Sequence, residues 1–478
     1  MVRRAGHLLS DFARGVRDDI GRLTAQMQAS TSRHDILPGL YTCRVREPGH
    51  SLTIHLRIEP DRTGLLFINA TETIHLSPTQ AEMAKLALEQ IPRQRALGHL
   101  RAYYPHIPPR RLADDFDHIA EAVEQLKAPT EGCRICQFGL DQPAPFSVRP
   151  QAPYKADLAL HYACNNACSH CYNEPGRRTM PSLPLSDWRR VLTDLYAIGV
   201  PYIIFTGGEP TLHPALPDLV SHAEHLGQIT GLNTNGRRLA EPDFAPTLLQ
   251  AGLDHVQVTI NSHRRDLHNR IVGADAFDET VAGIQASLDA GLHTLTNTTL
   301  TADNAHEALD IVDFLHALGT RTFAMNGMIY SGCGARHPAA LADDELEPVL
   351  REVQQRAAHH DMRFLWYTPT RYCHISPLDL GLGIRCCNAA EYSICIEPNG
   401  DVLPCQSYYE PAGNFLTDPW ERIWDSELFH KFRFRREQPE EADLPEECWD
   451  CEMLDICAGG CPLERREHAS ATPCALTS

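Results

Sequence analysis

"KADLALHYACNNACSHCYNEPG" (residues 155–176) decides how this chain is read. A strand-like run of alternating character leads straight into Cys164, Cys168 and Cys171, spaced Cys-x3-Cys-x2-Cys. Three thiolates can hold three irons of a four-iron cluster and leave one iron with an open position. An open metal position is a place for a substrate or cofactor, by the logic that separates catalytic from structural metals. The competing reading is a zinc-site fragment completed by His161 or His170.

Outward from this stretch the pattern repeats. "KADLALHY", "YIIFTGG", "ITGLNTNG", "HVQVTIN", "HTLTNTTLT" and "RTFAMNGMIY" read as six strands, separated by helices such as "LSDWRRVLTDLYAIG" and "DETVAGIQASLDAG". Alternating strands and helices predict a parallel sheet or barrel, with chemistry at the C-terminal ends of its strands. The three cysteines follow the first strand, and "TGGEP" (Thr206 to Pro210) ends the second.

Those two motifs together resemble the radical S-adenosylmethionine (SAM) superfamily. The resemblance implies a partial (β/α)6 barrel and a cluster whose vacant iron is chelated by the methionyl amino and carboxylate groups. In that family, reductive cleavage then releases a 5′-deoxyadenosyl radical that abstracts hydrogen. Gly207 and Gly208 would let backbone approach the cofactor, and Glu209 would accept hydrogen bonds from its ammonium. His170 stands where the family has an aromatic residue near the adenine. Asn233 in "NTNG", Thr259 in "VTIN" and Arg270 in "LHNRIVG" match cofactor-contacting positions. For Asn233 and Thr259 a strand-end polar residue serving local backbone is an equal reading.

Eight of the 17 cysteines lie between Cys386 and Cys461. Cys387 is followed by Gly400 and Cys405, then by Cys448-x2-Cys451-x5-Cys457-x3-Cys461 and, after twelve intervening residues, Cys474. This resembles the SPASM extension of radical enzymes that modify peptides and proteins, and "GNF" (413–415) resembles its Gly-Asn-Ile stretch. The resemblance implies two auxiliary [4Fe-4S] clusters, three in all. One would use Cys387, Cys405, Cys461 and either Cys386 or Cys373. Neighbouring cysteines rarely ligate one cluster together, which favours Cys373. The other would use Cys448, Cys451, Cys457 and Cys474. Sulfatase-maturing relatives place a proton-accepting aspartate after the cysteine that matches Cys405; here it is Gln406, which cannot take up a proton.

Upstream, "SLTIHLRI", "TGLLFIN" and "ETIHL" read as strands, followed by three helices. The first should start at an N-cap Ser77 with Pro78 at N1. In "DDFDHIAEAVEQL", Phe116, Ile119, Val123 and Leu126 share one face. This winged-helix-like α+β module resembles the PqqD-like recognition element, which binds the leader of a precursor peptide by strand addition to a sheet edge.

The boundaries expected are an amphipathic helix over 1–37, a recognition module over 38–127, a linker over 128–154, a barrel over 155–370 and a SPASM domain over 371–478. The overall class is α/β. Cys133 and Cys136 in the linker read as unligated thiols, Cys395 as a buried core thiol, and Cys333 in "YSGCGARH" as a weak catalytic candidate.

A net charge of −19 excludes a nucleic-acid partner, which would need a basic surface. No run of eighteen apolar residues is present to span a membrane, and the N-terminus lacks an unbroken apolar signal region. The cysteine count without secretion signals points to metal chemistry in a reducing, cytoplasmic setting. The expectation is a radical enzyme that abstracts hydrogen from a ribosomally made precursor peptide. It would install a thioether, C–C or C–O cross-link, with flavodoxin or ferredoxin as electron donor. Alternatives are an epimerase, a maturase of a folded protein subunit, and a non-catalytic iron–sulfur scaffold or redox sensor.

Overall fold

The computed structural model describes residues 36–47, 50–69, 72–127, 140 and 142–467. The helix expected over 1–37 falls outside them except for its last two positions, as do Cys133, Cys136 and Cys474. The chain divides into two compact units, Met1–Asp141 and Gln142–Ser478.

The first unit is an antiparallel sheet in chain order: β1 (Gly39–Glu47), β2 (His50–Ile58), β3 (Gly64–Ile68) and β4 (Glu72–Leu76). Three helices follow: α1 (Pro78–Leu88), α2 (Arg93–Tyr103) and α3 (Pro109–Lys127). Register sets Ile54 against Ile68, Leu56 against Leu66, and Leu66 against Ile74, so alternate residues present one apolar face. That face packs on Met83, Leu97, Leu100 and the α3 stripe Phe116, Ile119, Val123 and Leu126. The sequence reading did not find β1, where Tyr41, Cys43 and Val45 alternate with polar neighbours and add to the same core. Ser77 caps α1 as expected. Its Oγ accepts from the Gln80 N–H, and Gln80 Oε1 accepts from the Ser77 N–H at 2.9 Å, closing a capping box.

The second unit is built on β5 (Lys155–Ala159), β6 (Tyr202–Thr206), β7 (Ile229–Thr234), β8 (His255–Thr259), β9 (His293–Thr299), β10 (Thr322–Asn326) and β11 (Arg363–Trp366). All pair in parallel and in chain order. Helices α4 (Leu185–Ala197), α5 (Leu216–Leu226), α6 (Phe244–Ala251), α7 (Arg265–Val272), α8 (Phe277–Ala290), α9 (Ala308–Ala317) and α10 (Asp343–His359) connect them. The six expected strands are present. The seventh, β11, is only four residues long and too short to carry a periodic signal.

One face of this sheet is apolar. Leu158, Phe205, Leu232, Val258, Phe323 and Trp366 share a core with helix residues such as Trp188 and Leu219. The alternate positions carry Lys155, Asp157, Tyr202, His255 and Gln257, a polar wall opposite the helices. Lys155 Nζ lies 3.1 Å from Asp157 Oδ1, and Tyr202 Oη lies 2.9 Å from His255 Nε2.

The C-terminal hairpin β12 (Ser393–Ile396) and β13 (Asp401–Leu403) turns at Gly400, whose φ of +89° favours glycine. A two-residue β14 (Gly413–Asn414) extends it. β12 also pairs in parallel with β5, so this hairpin continues the barrel sheet beyond its first strand.

Candidate active site and its iron–sulfur ligands

The cysteine loop leaves β5 and runs beside the turn that leaves β6. Leu160 N–H donates to Thr206 O at 3.0 Å, Gly208 N–H to His161 O at 2.7 Å, and Glu209 N–H to Ala163 O at 2.9 Å. The two chains therefore continue the β5–β6 pairing past the strand ends. Gly207 adopts φ +132°, and a Cβ on Gly208 would strike the carbonyl oxygens of Ala163 and Tyr162. Backbone cannot yield cheaply there, so Gly208→Ala should cost about 1–3 kcal/mol of stability. It should also weaken SAM binding by about tenfold or more, measured by thermal unfolding and by equilibrium binding of the cofactor.

The other flank of the loop is tied to α7. Ala167 N–H donates to Val272 O and Ser169 N–H to Ile271 O, each at 2.9 Å. On a third side Cys333 N–H donates to Cys171 O at 2.8 Å. These bonds bring Cys164, Cys168 and Cys171 together. Burial raises the Cys164 thiol to about 11 and the Cys168 thiol further; Cys164 feels Cys171, and Cys168 feels both Cys171 and Cys164. Arg178 opposes that rise at both cysteines. Among the described residues no three His, Cys, Asp or Glu side chains converge on one ion. Thiolates that share a four-iron cluster bind separate irons and need not converge.

Glu209 is buried, and four donors surround its carboxylate. Oε1 accepts from Thr211 N–H (3.1 Å), Thr211 Oγ1 (2.6 Å) and Thr234 Oγ1 (2.6 Å), and Oε2 from Asn235 N–H (2.7 Å). Burial raises its pKa, and these donors work against the rise. The carboxylate thus fastens "NTNG" to "GGEP". Asn235 Nδ2 then reaches Asn165 Oδ1 at 2.6 Å, and Arg237 Nη1 reaches Asn165 O at 2.6 Å and Asn166 Oδ1 at 3.0 Å. Spacing alone could not single out Asn235, Arg237 and Arg178 as supports of the loop, although the first two adjoin "NTNG".

His170 lies in the same loop, its Nδ1 buried without a hydrogen-bond partner among the described residues and its pKa pushed down to about 4 by burial. Asn233 and Thr259 are half-buried at the ends of β7 and β8, and Arg270 is exposed in the last turn of α7. Cys333 is buried, its backbone serving the cysteine loop, and Cys395 is fully buried in β12.

α7 also carries His268, which is buried; its Nδ1 accepts from Asn261 N–H at 3.3 Å. Burial pushes its pKa from 6.5 down to about 4. The unfolded chain therefore binds more protons between those values, and stability is lost as pH falls through that window. This site should contribute up to ~3 kcal/mol of acid sensitivity. Urea unfolding of the protein and of His268→Gln at pH 7.5 and 4.5 should show a shallower pH dependence in the variant.

The C-terminal cysteines fall into two sets. Cys405 feels both Cys387 and Cys461, and Cys461 feels Cys387; burial raises Cys405, and raises Cys461 to about 12. Cys448 feels Cys457 and Cys373. Cys386 is different again: Arg436 Nη2 approaches its Sγ at 3.6 Å, and burial raises it to about 11. Cys373 is exposed, beside the turn of Cys457, whose Sγ the Tyr372 N–H approaches at 3.4 Å.

Residues 158–315 match the model of the radical SAM superfamily, and residues 386–452 that of an iron–sulfur cluster-binding domain, SPASM. The chain thus carries a radical SAM domain followed by a SPASM domain. Mycofactocin maturase MftC of Mycolicibacterium smegmatis is 28% identical over 328 residues, 65% of this chain and 78% of that protein. A PqqA peptide cyclase of Streptomyces rochei is 29% identical over 322 residues, 65% of this chain and 84% of that protein. Among solved structures, Streptococcus suis SuiB bound to precursor peptide SuiA superposes with a TM-score of 0.64 at 15% identity. It covers 91% of this chain and 99% of SuiB.

The cofactors of this radical SAM enzyme are SAM and [4Fe-4S] clusters, and its residues fit them. Three neighbouring thiols on one loop supply the donor set for the first cluster. Beside them, the cradle at Gly207 and Gly208 has no room for a side chain, and the unpartnered His170 Nδ1 is a polar atom available to a ligand.

Proposed function

We propose that this enzyme modifies a ribosomally made precursor peptide, most simply by installing a cross-link. The observation that carries the reading is the SPASM-type thiol architecture behind a radical SAM barrel, in a chain whose relatives include a maturase and a peptide cyclase. SAM on the reduced cluster supplies one-electron chemistry able to remove hydrogen from an unactivated carbon. The protein's part is to hold and orient. Cys164, Cys168 and Cys171 bind the first cluster, and the Gly207–Gly208 backbone and His170 border the cofactor. The polar wall of Lys155, Asp157, Tyr202 and His255 offers hydrogen bonds to peptide groups in the barrel.

Gln406 narrows the chemistry. Its Oε1 accepts from Tyr172 Oη at 3.2 Å, so it orders a tyrosine next to the third cluster cysteine. A neutral amide cannot take the substrate proton at that position, which disfavours sulfatase-type maturation. Two auxiliary clusters, with a flavodoxin or ferredoxin as electron source, would take up the electron left on a cross-linked product.

The first unit is assigned to leader binding. Its sheet has two edges, β1 and β4, either of which can pair with an extended peptide. The enzyme would work in the cytoplasm; among the described residues no helix is long and apolar enough to cross a membrane.

Co-expression with a candidate precursor, followed by mass spectrometry, tests the reaction. Loss of two hydrogens supports a cross-link, whereas an unchanged mass with an inverted centre would replace it by epimerisation. A chain lacking residues 1–141 should still cleave SAM yet lose processing that depends on the leader. If it processes the full precursor as well as the intact enzyme, the leader-binding assignment fails.

A further inference from the structure

We infer that Tyr409 and Asn173 position the SAM cradle, so that the C-terminal region takes part in binding the cofactor. Both are positioning residues: they act through the glycine backbone that borders the site.

The connection starts at the glycines. Asn173 Nδ2 donates to Gly207 O at 2.8 Å, while Gly208 N–H donates to His161 O at 2.7 Å. These two atoms belong to one peptide unit, so its plane is gripped at both ends. A carbonyl can only accept, so the amide nitrogen of Asn173 must face Gly207 and its oxygen must face away. That oxygen accepts from Tyr409 Oη at 3.0 Å. The bond fixes which way the amide is turned. Without it, the side chain can swing off the glycine carbonyl.

Tyr409 is itself firmly placed. The Arg177 guanidinium lies over its ring, 3.9 Å from the centroid, and Glu397 pairs with that arginine. Glu397 Oε1 also accepts from Tyr162 Oη at 2.8 Å. Glu397 directly follows β12 and Tyr409 lies between β13 and β14, so the tyrosine and its support come from one C-terminal hairpin. Burial raises the Tyr409 hydroxyl far above its usual range, which keeps its proton in place for donation. The backbone of Asn173 is held independently. Cys333 N–H donates to Cys171 O, and a Cβ on Gly332 would meet the carbonyl oxygens of Cys171, Tyr172 and Asn173 at 2.6 to 2.7 Å. Removing the Tyr409 hydroxyl therefore releases the amide while the cysteine loop stays in place. The loss falls on SAM affinity and spares the cluster.

The test uses the full-length enzyme with its clusters reconstituted and kept oxidised, so that SAM binds without being cleaved. Tyr409→Phe keeps the ring over Arg177 and removes only the hydroxyl. It should bind SAM about three- to tenfold more weakly by equilibrium titration, the range of one lost hydrogen bond. Its iron content and melting temperature should match those of the unaltered enzyme. Asn173→Ala should lose at least as much affinity. Asn173→Asp, which sets a carboxylate against the Gly207 carbonyl, should lose more. Because the two residues act in series, the double variant should bind no more weakly than Asn173→Ala alone. Unchanged affinity in Tyr409→Phe overturns the inference, and so do fully additive losses in the double variant. A lowered melting temperature with normal SAM affinity overturns it too, leaving the pair as a contact of the fold. Should Asn173→Ala or Asn173→Asp be recovered only as unfolded protein, Tyr409→Phe decides alone.

Discussion

Replacing Cys164, Cys168 and Cys171 with alanine should abolish cleavage of SAM to 5′-deoxyadenosine, by more than about a thousandfold. It should also remove about four irons per chain. The magnitude follows from how the loop is built. Its backbone is anchored to β6's exit, to the end of α7 and to Cys333, so the fold survives loss of the thiols while the cluster does not. A single replacement, Cys168→Ala, should have nearly the same effect, since it removes one of only three thiolates for the cluster. Anaerobic iron quantification and chromatographic assay of the nucleoside product check this. Retained cleavage in the triple variant would place radical initiation elsewhere in the chain.

Glu209→Ala is expected to have the largest effect on stability of any substitution near the site. The carboxylate satisfies two backbone N–H groups and two hydroxyls, from Thr211, Thr234 and Asn235. Each buried donor left without an acceptor costs about 1–3 kcal/mol. With four donors the sum should reach at least about 4 kcal/mol, a large fraction of the usual net stability of a domain. Asn235 and Arg237 are fixed in turn to Asn165 and Asn166, so the cysteine loop should loosen as well. Glu209→Gln keeps one carbonyl acceptor but opposes an amide N–H₂ to a donor on the other side. It should therefore recover part of the loss. Thermal unfolding, with cofactor binding measured in parallel, distinguishes this clasp role from a purely ligand-facing one: a variant with unchanged melting and weakened SAM binding would contradict it.

The comparison of these residues shows what a single sequence can and cannot carry. The cysteine spacings and the strand–helix alternation are local patterns, and they located the initiating loop and the barrel directly. Glu209 was legible as a conspicuous residue, but its partners lie up to 26 positions away, and nothing local announces them. Arg178 and Arg237 look like ordinary surface cations until the fold brings them to the loop. β11 was missed because four residues cannot display a period. β12 was legible as half of a hairpin, since "PNG" fixes its antiparallel partner. Its parallel partner, β5, begins 238 residues earlier, and no turn motif encodes that register.

That parallel pairing acts as a ruler. Cys395 stands opposite Asp157 and Ile396 opposite Leu158, five residues or more before the first cluster cysteine; on the other strand of the hairpin, Cys405 follows β13 by two positions. Both iron-binding regions are consequently graduated along a single hydrogen-bonded lattice, and the separation between them is set in residues of strand. A hybrid that borrowed the C-terminal region of a relative would inherit that region's own scale. One residue of slippage between β5 and β12 would shift the spacing by about 3.3 Å and turn every side chain of the borrowed strand to the opposite face. Exchange between relatives is thus confined to junctions that carry β5 and β12 together.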